Sequence, residues 1–225
     1  MAISIKVWLE HLVPAAPKVS FREQLRSSLG ACIGILVTGS VGLFVAHHFG
    51  QSQLWLIAPL GASTVLVFAA SASPLAQPWA VVGGNTLSAL TALAVISILP
   101  SSPWTAGLAV ALAIAVMYLA RCLHPPGGAT ALLVVLTQTH TFDFVWLAVF
   151  LDSTILVLVG MLYNSLTGKP YPHRPAHAPR NETTLKQDLQ TVLREHDEFV
   201  DISLEDLQVL FEDVIRLRKK SSKGR

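Results

Sequence analysis

The stretch Arg121-Cys122-Leu123-His124-Pro125-Pro126-Gly127-Gly128-Ala129-Thr130 sets a permanent cation, a thiol and an imidazole beside four residues that resist regular helix. Two prolines remove backbone donors and clash with a preceding turn, and two glycines add backbone freedom. A helix restarting near Ala129 would present free N–H groups and the positive end of its dipole. A second break, Ala58-Pro59-Leu60-Gly61-Ala62-Ser63-Thr64, does the same for another helix. Two open helix starts with one arginine and one histidine form a nest suited to a small monovalent anion. The expected substrate-binding set is Arg121, His124, Pro125, Pro126, Gly127, Gly128 and Thr130 from one break, Pro59, Gly61 and Ser63 from the other, and Asn85 and Asp152. No Ser-His-Asp order, Gly-rich nucleotide loop or metal-ligand spacing stands out, so no catalytic residue, metal or cofactor is expected.

Each of these residues also has a plainer reading. Arg121 could end a helix and snorkel to headgroups. His124 could hydrogen-bond a carbonyl that the prolines leave free, and the Pro and Gly pairs could make only a tight bend. Asp152 lies in the middle of an apolar run. It either pairs with Arg121, the favoured reading, or takes part in proton coupling. Asn85 reads as a helix–helix hydrogen bond more readily than as a ligand. Cys32 and Cys122 read as small apolar packing residues, and His47, His48 and His140 as interface residues.

The elements that must position these groups follow from charge. Only 13% of residues are charged and mean hydropathy is +0.54. From Ser27 to Tyr163 the charged side chains are Arg121, Asp143 and Asp152 alone. A water-soluble surface needs far more, whereas a bilayer needs none. Four apolar runs approach the length that spans hydrocarbon: residues 25–48, 79–99, 104–119 and 142–163. Two shorter ones, 54–70 and 129–138, each begin at a break. A shift of 67 positions lays Pro59 on Pro126, Gly61 on Gly128, Ser63 on Thr130, Trp79 on Trp146 and Asn85 on Asp152. The chain therefore reads as two copies of a long, short-broken, long unit. The link after Gln138 is too brief to climb back from mid-bilayer, so the short segments are expected to cross. Three crossings per unit give opposite orientations, the inverted-repeat plan of many transporters.

The fold class expected is an all-α membrane protein: four long transmembrane helices and two short broken ones in two repeats, with a short cytoplasmic helical tail. A basic N-terminal segment spans 1–26, the transmembrane domain 27–166, a Pro-rich linker 167–180 and an amphipathic helical tail 181–225. Leu185, Leu189, Val192 and Leu193 make one stripe of that tail; Leu207, Leu210, Phe211 and Val214 make another, behind Ser203 and Asp206. Basic flanks at Arg22, Arg26, Lys169, Arg174 and Arg180 put both termini in the cytoplasm, with the chain in the inner, cytoplasmic-type membrane.

His124-Pro125-Pro126 with Gly127-Gly128-Ala129-Thr130, Ala58-Pro59-Leu60-Gly61-Ala62-Ser63, Gly83-Gly84-Asn85 and the exit Gly168-Lys169-Pro170-Tyr171-Pro172-His173-Arg174 together resemble the HPP family of integral membrane proteins, over roughly 20–168. The resemblance implies four transmembrane helices and, from some plant and cyanobacterial members, nitrite transport into chloroplast or cell. Other members carry CBS domains after the membrane part; this tail is too short for a CBS pair. The expected function is a transporter or channel for a small inorganic anion, nitrite by resemblance. The expected partners are the lipid bilayer, the anion and a second copy in a homo-oligomer, with no nucleic acid. Two other classes stay open: a non-transporting scaffold whose tail docks a soluble partner, and an intramembrane enzyme using His124 and Cys122.

Overall fold

The computed structural model describes residues 19–50, 56–173 and 206–212. Among these every regular element is helical. The helices are α1 (Phe21–His48), α2 (Pro59–Ala69), α3 (Pro78–Ile96), α4 (Pro103–Leu119), α5 (Pro125–Thr137) and α6 (Leu151–Leu166). A short 3-10 turn, Pro74–Ala76, precedes α3, and a π-helical stretch, Phe144–Phe150, runs straight into α6. Proline opens α2, α3, α4 and α5, where its fixed φ suits the first turn and its missing N–H costs nothing. Ser20 caps α1 by accepting from the Glu23 N–H at 3.3 Å.

Three helices are long and apolar enough to cross a bilayer: Phe21–His48, Pro78–Ile96 and Phe144–Leu166. The expected fourth, α4, has 17 residues, about 25 Å at 1.5 Å per residue. Pro103 bounds it on one side and a tight turn at Ala120–Arg121 on the other.

Side-chain bonds between distant segments give the direction of every pass. Arg26 donates to Asn164 Oδ1 at 2.8 Å and to the Phe68 carbonyl at 2.8 Å, so the start of α1 and the ends of α2 and α6 share one end of the bundle. Trp79 donates to the Ala120 carbonyl at 3.0 Å, and Tyr171 to the Ala76 carbonyl at 2.7 Å, at that same end. At the other end Ser101 donates to the Val135 carbonyl at 3.3 Å. The six helices thus alternate in direction, and residues 20 and 168 lie together. The order long, short, long occurs twice, with the second set inverted. At the centre α3 packs on α4, α5 and α6.

Arg26 locks the terminal end. It forks onto both Glu23 oxygens at 2.9 and 2.7 Å while closing a last-turn carbonyl of α2, and Asn164 donates to another, that of Val67, at 2.9 Å. The exit segment folds back here: Tyr171 is buried, and burial pushes its phenol well above the usual tyrosine range. His173 meets Asp206 at 2.8 Å, which holds the short helical piece at 206–212 against the bundle. The stripe at Leu185–Leu193, Val214 and Ser203 lies outside the described residues.

Candidate functional site

Four helices send five polar side chains to one buried layer midway through the bundle. Asn85 of α3 is its hub. Its amide nitrogen donates to Ser63 Oγ of α2 at 3.1 Å and to Ser153 Oγ of α6 at 3.2 Å. Its carbonyl oxygen accepts from Thr130 of α5 at 3.0 Å. Both amide hydrogens and the oxygen are therefore engaged. His124, the N-cap residue of α5, joins through Ser63. Its Nδ1 lies 2.8 Å from the Leu75 carbonyl, which can only accept, so Nδ1 carries hydrogen. In the neutral ring Nε2 then accepts from the Ser63 hydroxyl at 2.8 Å. Ser63, Asn85, His124, Thr130 and Ser153 are all fully buried. Ser63 and Thr130, matched by the 67-residue shift, bond the same Asn85.

Small residues let the backbones come this close. A Cβ on Gly84 would stand 2.6 Å from His124 Cβ and 2.8 Å from the Cys122 carbonyl; one on Gly127 would stand 2.7 Å from Ser88 Oγ and 2.9 Å from the Gly84 carbonyl. By contrast, a Cβ on Gly61 meets nothing within 4 Å and one on Gly128 only Val110 at 3.8 Å. Pro59 and Pro126 are buried at their helix starts, and Pro125 is exposed.

The two broken helix starts do meet, through Ser63 and His124, but the first N–H groups of neither helix are free. Pro125 and Pro126 have no donor, and the Gly127 N–H is taken by the His124 carbonyl at 2.8 Å. At α2 the Leu60 and Gly61 donors go to Ile57 and Ala58 carbonyls at 3.0 and 3.1 Å. What faces the layer is side-chain hydroxyl, amide and imidazole.

The expected Arg121–Asp152 pair is absent as well. Arg121 is exposed just past α4, at the terminal end. Asp152 is fully buried, and neither carboxyl oxygen has a hydrogen-bond partner among the described residues.

Two cavities flank the layer. One, of 330 Å³, opens at the terminal end between Arg121, Leu123, Tyr118, Met117, Leu75 and Ala80. Leu75 joins it to the layer, because its carbonyl holds His124. The other, of 410 Å³, lies at the far end around Ile57, Ala58, Leu133, Thr137 and Phe144, just before α2.

Sequence reasoning passed over Ser153, Thr38, Thr86, Ser88 and Arg26. The hydroxyls of Thr38, Thr86 and Ser88 are buried without a partner among the described residues. Hydroxyl residues are common in membrane helices, where most return their proton to their own helix, as Thr64, Thr91, Ser97 and Thr154 do here at 2.7–2.8 Å. Residue type alone could not separate the two groups. Arg26 read as an interface flank.

Residues 16–172 match the model of the HPP transmembrane region. Two transmembrane proteins of Dictyostelium discoideum are similar: one is 33% identical over 154 residues, covering 65% of this chain, and the other 34% identical over 176 residues, covering 74%. The chain spans 49% and 61% of the length of these relatives. No solved structure matches. With more than half its length in that match and its polar layer built from the His124-Pro125-Pro126, Pro59 and Asn85 motifs, the chain belongs to the HPP transmembrane family.

Proposed function

We propose that this protein carries a small inorganic anion across the cytoplasmic membrane, with nitrite the substrate that the family resemblance suggests. One observation carries the reading: two cavities at opposite ends of an inverted pair of three-helix units, separated by a buried layer of hydrogen-bonding side chains. Irregular backbone at membrane depth is tolerated where protein buries it or where it lines a wet cavity, and inverted repeats with broken helices are a common plan for alternating access. Arg121 at the mouth of one cavity supplies the attraction, since a guanidinium keeps its charge at any working pH. Beyond it, Ser63, Thr130, Asn85 and His124 offer neutral donors that replace an anion's water once His124 parts from Leu75 or Ser63. The rest position these groups: Pro59, Pro125 and Pro126 start the helices, and Gly127 lets α5 approach α3. The basic flanks put both termini in the cytoplasm, and no catalytic step is assigned.

The test is flux into proteoliposomes from a panel of nitrite, nitrate, formate and chloride. Saturable nitrite flux above protein-free vesicles supports the proposal. Flux of none of the four removes it. That result favours the second reading, a non-transporting scaffold, which rests on the contact of His173 with Asp206 that holds a tail segment against the membrane part.

A further inference from the structure

Asp152 has no part in the network beside it. It is 0% exposed, both its oxygens lack a partner among the described residues, and its neighbour Ser153 is already bonded to Asn85. The elements packed on α6 bring it no charge. Neither α2, α3 nor the π-helical stretch carries an Asp, Glu, Lys, Arg or His. From α1 the register is set by Arg26 against Asn164, Gly30 against Tyr163 and Gly34 against Leu156. Carried one turn further, that register places Thr38 level with Asp152, and the Thr38 hydroxyl is also buried without a partner among the described residues. The titratable group of the layer is His124, linked through Ser63 and Asn85 to Ser153, the residue next to Asp152. Arg26 and Glu23 are engaged with each other at the terminal end.

An ionised carboxyl left alone at membrane depth is expensive, and such residues mark ion or proton sites. A sodium ion needs several oxygens around it, and a proton needs only the carboxyl. A protonated carboxyl also gains a donor, which the bare carboxylate lacks. The asymmetry between the two units points the same way: the 67-residue shift sets Asp152 opposite Asn85, so one unit places a saturated amide where the other places a free acid.

The geometry points to Asp152 as a proton-binding site inside the bundle, loaded and emptied as the layer opens to one cavity and then the other, so that anion movement is coupled to a proton. The coupling rests on the transport reading; the proton site does not. No bond other than O–H is made or broken: the proton comes from water on one side and returns to water on the other.

Two measurements separate the claims. Infrared difference spectra of the reconstituted protein, taken across a pH titration, should contain the C=O band of a protonated carboxyl that Asp152→Asn removes. In parallel, nitrite accumulation driven by a pH gradient in proteoliposomes, corrected for protein-free vesicles, should be lost in Asp152→Asn. Thr38→Val, which keeps the side-chain shape, should shift the carboxyl band while the protein stays folded. A band untouched by Asp152→Asn overturns the site. Wild-type nitrite flux down its own gradient that ignores the pH gradient overturns the coupling and leaves the transport reading standing. Wild-type vesicles that pass none of the panel anions overturn the transport reading and the coupling together, and the band then decides the site alone. Accumulation that follows a sodium gradient instead assigns the carboxyl to sodium and overturns the proton.

Discussion

Arg121 holds a backbone position that glycine would fill at less cost. Its φ is +54°, in the left-handed region, and the bonds around it are those of a Schellman turn closing α4: the Arg121 N–H reaches the Tyr118 carbonyl at 3.1 Å and the Cys122 N–H the Met117 carbonyl at 2.9 Å. A side chain there costs about 1–2 kcal/mol relative to glycine. Arg121→Gly should therefore hold or raise thermal stability while nitrite flux falls strongly. A variant that is both stable and fully active would leave Arg121 a helix end and nothing more. Asn85 sits at the other extreme, with both amide hydrogens and its oxygen engaged. Asn85→Ala should cost about 2 kcal/mol, at roughly 0.6 kcal/mol per interhelical bond in a bilayer. Thermal unfolding in detergent that matches wild type would mean the layer does not join the helices. Asn85, Ser63 and Thr130 were readable in the sequence because the repeat aligned them. Ser153 and Thr38 were not, because a hydroxyl's partner depends on which helix faces it.

At the scale of elements, the helix starts were readable only in part: α5 begins at Pro125 and not near Ala129, because the two prolines and two glycines form its first turn and not an extended lead-in, and the chemistry of the starts was not readable at all. Pro59, Pro78, Pro103 and Pro125 announce α2, α3, α4 and α5, because proline suits a first turn and little else in a helix. The same prolines lack a donor, and carbonyls just before the two starts take the N–H groups of Leu60, Gly61 and Gly127. A sequence shows where a helix begins, whereas the disposition of its first N–H groups depends on the turn before it. Glycine spacing likewise gave no hint of which glycines are pressed. A Cβ added at Gly84 would stand 2.6 Å from His124 Cβ at the entry to α5, and one added at Gly107 would meet nothing within 4 Å. Gly84→Ala should push α5 away from α3 and lower stability by about 1–3 kcal/mol, the usual cost of overpacking. Gly107→Ala should be neutral or stabilising by about 0.5–1 kcal/mol from helix propensity. Equal effects of the two substitutions would show that the α3–α5 approach is not tight.

At the scale of the molecule, the decisive question is how many times the chain crosses. Length and hydropathy point to four passes and two short segments, and the family resemblance implies the same count. The brief link after Gln138 instead points to six, and the contacts between helix ends give six traverses of the bundle. Trp79 at the start of α3 bonds Ala120 after α4, and Arg26 at the start of α1 bonds the end of α2. Hence α1 and α3 run the same way, and the chain between them, α2 included, must return across the bundle. Neither α2 nor α5 is long enough to do this as helix alone: α2, at 11 residues, is about 16 Å long. The flanking stretches supply the remainder, and the buried layer satisfies the groups they bring to mid-bilayer. The two topologies disagree at exposed residues that follow these segments, Ala72 after α2 and His140 after α5. With six passes Ala72 lies on the cytoplasmic side and His140 on the opposite side. With four passes and re-entrant loops both lie on the side away from the cytoplasm. The measurement is labelling of Ala72→Cys and His140→Cys by a membrane-impermeant maleimide, in a background with Cys32 and Cys122 replaced. Labelling from opposite faces is the expected result. Labelling of both from the outside would collapse the inverted pair of units, and with it the two-cavity pathway, since α2 and α5 would then enter from one face.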